Sequence, residues 1–366
     1  MAPTTIFGAL GIQDTDYVLT GTTDQSGQRV IYDEVVKFIA REQAALDLVT
    51  SIFVSQDTED FKFLYKQPTG GELQEMGFAP QGRPGAVKAF GEWEVAFPLY
   101  DYGVQLASDW VTDAYMTAKE LDIQVQSIRN RNVNTTRRLL FQALMRSTAG
   151  TFSDPKRGSL SIQGLANGDA VIYSPVIGAT DGATENHLLA SGYTSANISD
   201  TNDPVQTIVD ELEEHFGTPT AGSSDIVIFI NNAQNAKISA LTKFVETPLV
   251  DVRVGAQTAV PTNLPTGLPG RVIGRHGAGA WIVEWRSWPA DYMIGIHRGE
   301  EPPLVRRVDP AGTGLPRGLT LVSEDELHPF RHSVWHNRFG YGAANRLNGV
   351  IVKLTTGSYD VPSAYQ

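Results

Sequence analysis

Residues 108–146 read SDWVTDAYMTAKELDIQVQSIRNRNVNTTRRLLFQALMR, and the reading of this stretch decides the architecture around it. Val111, Ala114, Ala118, Leu121, Val125 and Ile128 follow one another in steps of three and four residues, the spacing that lines one face of an α-helix. The pattern predicts a helix opening at Ser108 or Asp109 and running to about Met145. At ~1.5 Å per residue it extends on the order of 55 Å, far beyond the mean helix of about 11–12 residues. Asp109, Asp113, Glu120 and Asp122 fill its first half, and Arg129, Arg131, Arg137, Arg138 and Arg146 its second. This order opposes side-chain charge to the helix macrodipole. The same arginines offer charge pairs to a neighbouring subunit, so Arg129, Arg137 and Arg138 are candidate contact residues.

Upstream, Phe61 to Tyr65 alternates like a strand, Gly and Pro crowd positions 68 to 91, and Glu92-Trp93-Glu94-Val95-Ala96-Phe97 resumes the alternation. The pattern predicts one long hairpin whose tip, from Pro68 through Arg83-Pro84-Gly85, exceeds a tight turn. A projecting hairpin needs cover for its apolar residues. Trp93, Val95 and Phe97, with Arg83 at the tip, are therefore expected to meet a second subunit. Before the hairpin, a helix is predicted from about Asp33 through Val49, and residues 1 to 30 read as an extended arm rich in Thr, Gly and Asp.

Downstream, Asp203-Pro204 opens a predicted helix through Phe216, the run Ile226 to Ile230 reads as a buried strand, and Ala233 to Phe244 as another helix. This order marks a compact α/β unit. Short strands are expected at 160–165 and 170–173. The last third is strand-rich, with candidates at 271–273, 281–285, 292–296, 304–308, 319–322 and 350–354.

The 366 residues suffice for two compact domains, with 41% hydrophobic and 19% charged residues. The absence of cysteine excludes disulfides, thiolate catalysis and cysteine-ligated metals. A formal net charge of −12 repels a polyanion, so tight nucleic-acid binding is not expected. A container wall that does not grip DNA lets the polymer slide. No basic-then-apolar leader and no run of ~18 apolar residues is present, which points to a protein made in a cytoplasm, without membrane insertion.

Candidate chemistry is sparse. His328, His332 and His336 recur every four residues, which on a helix would present three imidazoles to a metal. A soluble metal-dependent enzyme is one reading of them. Pro329 and the alternation of Phe330, Trp335 and Phe339 favour strand or surface histidines instead. Gly274-Arg275-His276-Gly277-Ala278-Gly279 lacks the Lys-Ser/Thr pair of a phosphate loop and reads as a hairpin turn. Asp14/Asp16 and Glu324/Asp325/Glu326 read as surface acids, and no Gly-x-Ser-x-Gly elbow is present. No catalytic residue and no cofactor is expected.

Extended arm, long hairpin, very long helix, α/β unit and returning strands, in that order, resemble the tailed-bacteriophage major capsid proteins, whose fold is the Hong-Kong type. Gly164-Leu165-Ala166-Asn167, Pro289-Ala290-Asp291-Tyr292-Met293-Ile294 and the closing Arg338-Phe339-Gly340-Tyr341-Gly342-Ala343-Ala344-Asn345-Arg346 resemble short stretches of that family. The resemblance implies an α+β fold with an N-terminal arm over residues 1–55 and an E-loop over 56–106. It further implies a peripheral domain over 107–204 and 331–366, carrying a long spine helix, and an α/β axial domain over 205–330. It implies a homo-oligomer of hexamers and pentamers closing into the icosahedral shell of a virion around double-stranded DNA, with scaffolding, portal and decoration proteins as possible partners. An encapsulin-type nanocompartment shares the fold and is the alternative. Lys62, Lys66, Lys88 and Asn345 supply the residue types of the family's isopeptide cross-link but match no motif for it, so cross-linking is not expected.

Overall fold

A computed structural model of the chain describes residues 47, 50–67, 90–109, 118–179, 181–217, 225–246, 268–325 and 330–366. The expected arm, nearly all of the helix from Asp33, the hairpin tip with Arg83, and His328 lie outside these residues. In chain order the elements are β1 (Val54–Thr58), β2 (Lys62–Gln67), β3 (Phe90–Ala96), β4 (Tyr100–Asp109), α1 (Ala118–Met145), β5 (Gly150–Asp154), β6 (Gly158–Ile162) and β7 (Leu188–Ala190). They continue with α2 (Pro204–Phe216), β8 (Ile226–Ile230), α3 (Asn232–Ile238), β9 (Phe244–Glu246), β10 (Arg271–His276), β11 (Ala280–Glu284) and β12 (Tyr292–His297). The last four strands are β13 (Leu304–Arg307), β14 (Thr320–Asp325), β15 (Phe330–Ala343) and β16 (Val350–Lys353). The chain divides into two compact units, one of residues 1–48, 99–140 and 307–340, the other of 49–98, 141–306 and 341–366.

In the first unit β15 pairs antiparallel with β14 on one side and with β4 on the other, from Phe330 opposite Asp109 to Phe339 opposite Tyr100. Ser333, Trp335, Asn337 and Phe339 are buried while Val334, His336 and Arg338 are half-buried, the period of two that a strand imposes. Trp335 packs with Val125 and Ile128 of α1 and with Val104, Leu106, Leu319 and Leu321. Asn337 Nδ2 donates to Asn132 Oδ1 of the helix at 2.9 Å. The long helix is therefore present, but its predicted opening is wrong. Ser108 and Asp109 end β4, opposite Arg331 and Phe330. Tyr102, Val104 and Leu106 already alternate with more exposed neighbours, and the β15 ladder satisfies that period of two, so the helical spacing that starts at Val111 cannot extend back through them.

The second unit holds a seven-stranded sheet in the order β7-β16-β12-β8-β11-β10-β9. Every residue of β8, β11 and β12 is buried, as suits strands covered on both faces. Asp203 caps α2, its Oδ1 accepting from Val205 N at 3.0 Å and Gln206 N at 3.2 Å, and Pro204 takes the first turn. Val205, Ile208, Val209 and Leu212 present one apolar face to a core shared with Ile228, Ile282, Met293, Val350 and Val352. Gly295 of β12 makes that approach possible, since a Cβ there would stand 2.1 Å from Ile208 Cγ2.

The strand expected at 350–354 is β16, which lies between β7 and β12. Other sequence expectations need adjustment in this unit. The helix predicted to reach Phe244 ends at Ile238, because Phe244 begins β9 and pairs with His276. Residues 170–173 form no strand: Tyr173 N instead bonds Ala183 O at 2.8 Å. The glycines after Gly274 do form the expected turn, with Gly279 N on His276 O at 2.9 Å and Gly279 at φ 98°.

Candidate functional site

The predicted contact surface begins at the hairpin of β2 and β3, which pair antiparallel from Lys62 opposite Ala96 to Gln67 opposite Phe90. Its two faces differ. On one, Val95 and Phe97 are 0% exposed and pack with Val305, Ala344, Phe63, Tyr65 and Trp93. The expectation that Val95 and Phe97 await a second subunit is therefore corrected, because strands from elsewhere in the same chain already cover them. Trp93 stacks on Tyr65 with ring centroids 4.4 Å apart and meets Tyr173 edge-on at 6.3 Å. On the other face Lys62 Nζ pairs with Glu94 Oε2 at 2.7 Å and Leu64 is 57% exposed. Leu64 is thus an exposed apolar side chain of the described ribbon.

Behind Trp93 lies a residue that sequence reading passed over. Arg346 is buried, and its guanidinium sits 5.7 Å from the Trp93 ring and 5.7 Å from the Tyr173 ring. Its Nε donates to Gly164 O at 2.7 Å, and its Nη2 to Leu165 O, Asn167 Oδ1 and Asp169 Oδ2 at 3.1, 3.2 and 2.7 Å. Ala166 N returns a bond to Arg346 O at 3.0 Å. Two of the short stretches that carried the family resemblance, 164–167 and 338–346, therefore meet through one side chain. Asn345 Nδ2 is occupied by Glu301 O at 2.9 Å.

The helix arginines have local roles. Arg137 Nη2 donates to Asn134 Oδ1 at 2.7 Å, while Arg138 lies over the Tyr102 ring at 5.9 Å. Arg129 is half-buried. Of the histidine trio, the two described members do not form a metal face. His332 and His336 sit on β15, and four residues along a strand span about 13 Å, too far to share an ion. His336 is paired with Asp101 across the ladder.

A second polar cluster brings residues together that are far apart in sequence. Glu185 and His187 lie just before β7, and Glu211, Glu214 and His215 occupy the last turns of α2. One ligating atom from each of Glu185, Glu214 and His215 lies within 4.8 Å of the others. The His187 and His215 rings are 5.1 Å apart. Burial, with the charges of Glu214 and Glu185 and a bond to Glu214, pushes the Glu211 carboxyl up to about 7. Burial holds His187 down to about 3, with His215 beside it, and lowers His215 as well.

The sheets, the long helix and the hairpin base together define the class of the molecule, a tailed-phage major capsid fold, as the sequence resemblance implied. Among solved structures, a chain from Mycobacterium phage Patience is 18% identical and superposes with a TM-score of 0.66, over 98% of this chain and 98% of that chain. A chain in the asymmetric unit of the bacteriophage PhiM1 mature capsid is 11% identical, with a TM-score of 0.50, over 83% of this chain and 86% of that chain. No protein-family model matches the sequence, and no curated protein matches it.

Proposed function

We propose that this chain is the major capsid protein of a tailed bacteriophage, a structural subunit rather than an enzyme, which closes into an icosahedral head around double-stranded DNA. The observation that carries this reading is the agreement with the Patience chain over 98% of both lengths, a match to the whole arrangement and not to one shared module. The PhiM1 chain, from a mature capsid, agrees over most of its length. In this reading residues 1–55 are the arm, 56–106 the E-loop and α1 the spine helix. The seven-stranded sheet with α2 and α3 serves as the axial domain that meets its copies around local symmetry axes.

In this reading subunit contacts fall first to the exposed Leu64 on the ribbon and Arg138 on the helix, with the half-buried Trp93, Arg129 and Arg137 beside them; Arg83, also a candidate, lies outside the described residues. Each contact contributes little, but symmetry repeats it, at ~25 cal/mol per Å² of apolar area before association costs. The net charge of −12 fits a wall that leaves packaged DNA free to move. Hexamers and pentamers are the implied assemblies, and the shell of a virion the implied location. Scaffolding, portal and decoration proteins are the natural partners. Expression of the chain, alone and with any scaffolding protein encoded beside it, followed by negative-stain microscopy, tests the proposal. Closed shells tens of nanometres across support it; a protein that stays monomeric in both cases refutes it.

A further inference from the structure

We propose that Glu185, Glu214 and His215 hold a divalent transition-metal ion, for which zinc is the best-matched probe, and that the ion ties the last turn of α2 to the segment entering β7. The inference rests on the second unit alone and stands whether or not the chain forms shells.

The donor set is two carboxylates and one imidazole, with one atom of each within 4.8 Å of the others. Zinc takes nitrogen and oxygen ligands at about 2.0–2.2 Å, so side-chain closure would supply three of its four ligands and leave the fourth position to water. The imidazole disfavours magnesium and calcium, which prefer oxygen throughout.

Three features of the surroundings point to a cation. The His215 side chain is 3% exposed, and its Nε2 stands 3.6 Å from Glu214 Oε1, beyond a hydrogen bond, with no other partner. His187 is 0% exposed, and its ring faces His215 at 5.1 Å. Buried polar nitrogens without partners are rare and call for an explanation. The third feature is charge. Glu211, Glu213 and Glu214 crowd the end of α2, where the macrodipole is itself negative and acidic residues are disfavoured, and Glu185 joins them from another segment. A bound cation relieves that crowding, gives His215 Nε2 a partner and places a second imidazole, that of His187, at the edge of the shell.

The test uses the full chain, stripped with a chelator and titrated with zinc chloride, manganese chloride or magnesium chloride. Calorimetry and metal analysis should find one saturable zinc per chain and a rise in Tm that magnesium does not reproduce. The Glu185→Gln/Glu214→Gln double variant keeps the size of both side chains and removes the charge. It should fold with an unchanged or higher metal-free Tm, yet bind zinc at least ~10-fold more weakly and lose the zinc-dependent rise. If the double variant does not fold, Glu185→Gln alone gives the same readout by calorimetry. Absence of saturable zinc binding in the parent chain overturns the proposal, and so does zinc binding that survives these substitutions in a folded variant.

Discussion

Arg346 joins segments that lie far apart in the sequence. It donates to three segment-164–169 oxygens and to the Asp169 carboxylate while stacked between Trp93 and Tyr173. Arg346→Met keeps the bulk and removes the donors, leaving buried carbonyls unpaired, and should cost about 3 kcal/mol in urea unfolding. Arg346→Lys should recover little, since one ammonium cannot fork to the same acceptors. Glu211 makes a prediction about pH. Its carboxyl is raised from 4.5 to about 7 by burial and its acidic neighbours, so the folded state holds a proton that the unfolded state has released. Stability is then lost as pH rises from about 4.5 through 7. In metal-free buffer Glu211→Gln should be more stable than the parent at pH 8, by on the order of 1 kcal/mol after allowance for its half-exposed position. The difference should close by pH 4.5; equal stability at pH 8 would contradict the assignment. None of this was legible in the sequence. Arg346 bonds mainly to carbonyls, which have no residue-type signature, and Glu185 and His215 are joined only by the folding of β7 against α2. The spacing of His328, His332 and His336 was the visible signal, and its reading as strand or surface histidines holds for His332 and His336, which lie on β15.

Among the elements, α2 shows sequence signals that suffice. Asp203, Pro204 and four apolar residues at helical spacing fix its start and its buried face. Asp203→Ala should cost about 1–2 kcal/mol through loss of the cap, with little change at pH values low enough to protonate the aspartate in the folded protein. β8, β10, β11, β12 and β16 of the large sheet were legible for the same reason, as apolar runs bounded by turns, whereas β7 and β9, three residues each, were not. The start of α1 was not, because a strand with period two runs directly into a region with helical period, and only the β15 ladder decides between them. The hairpin was legible as a pair of strands, but not in which face is covered. Val305 and Ala344, which bury Val95 and Phe97, belong to distant sequence that local pattern cannot place. The exposed residue on the opposite face, Leu64, is where a contact between copies is expected. Leu64→Asp should leave the circular dichroism and unfolding midpoint of the subunit nearly unchanged, as surface substitutions usually do, while reducing the yield of assembled particles in sedimentation.

For the whole molecule, the order of elements carried the reading more than any one motif, and the fold agrees from end to end with a phage chain at 18% identity. At that identity most side chains differ while the kind and order of elements persist, because these are fixed by hydrophobic period and chain direction more than by particular residues. The hairpin base is packed by its own chain, so in the proposed shell the contacts between copies fall to its outer face and to the helix. The most direct measurement is analytical ultracentrifugation of the purified full chain across protein concentration, with electron microscopy of the fast fraction. Self-association into a discrete particle of hundreds of copies, visible as closed shells and diminished by Leu64→Asp, is the predicted result. A single slow species at every concentration, with or without a scaffolding partner, would contradict it.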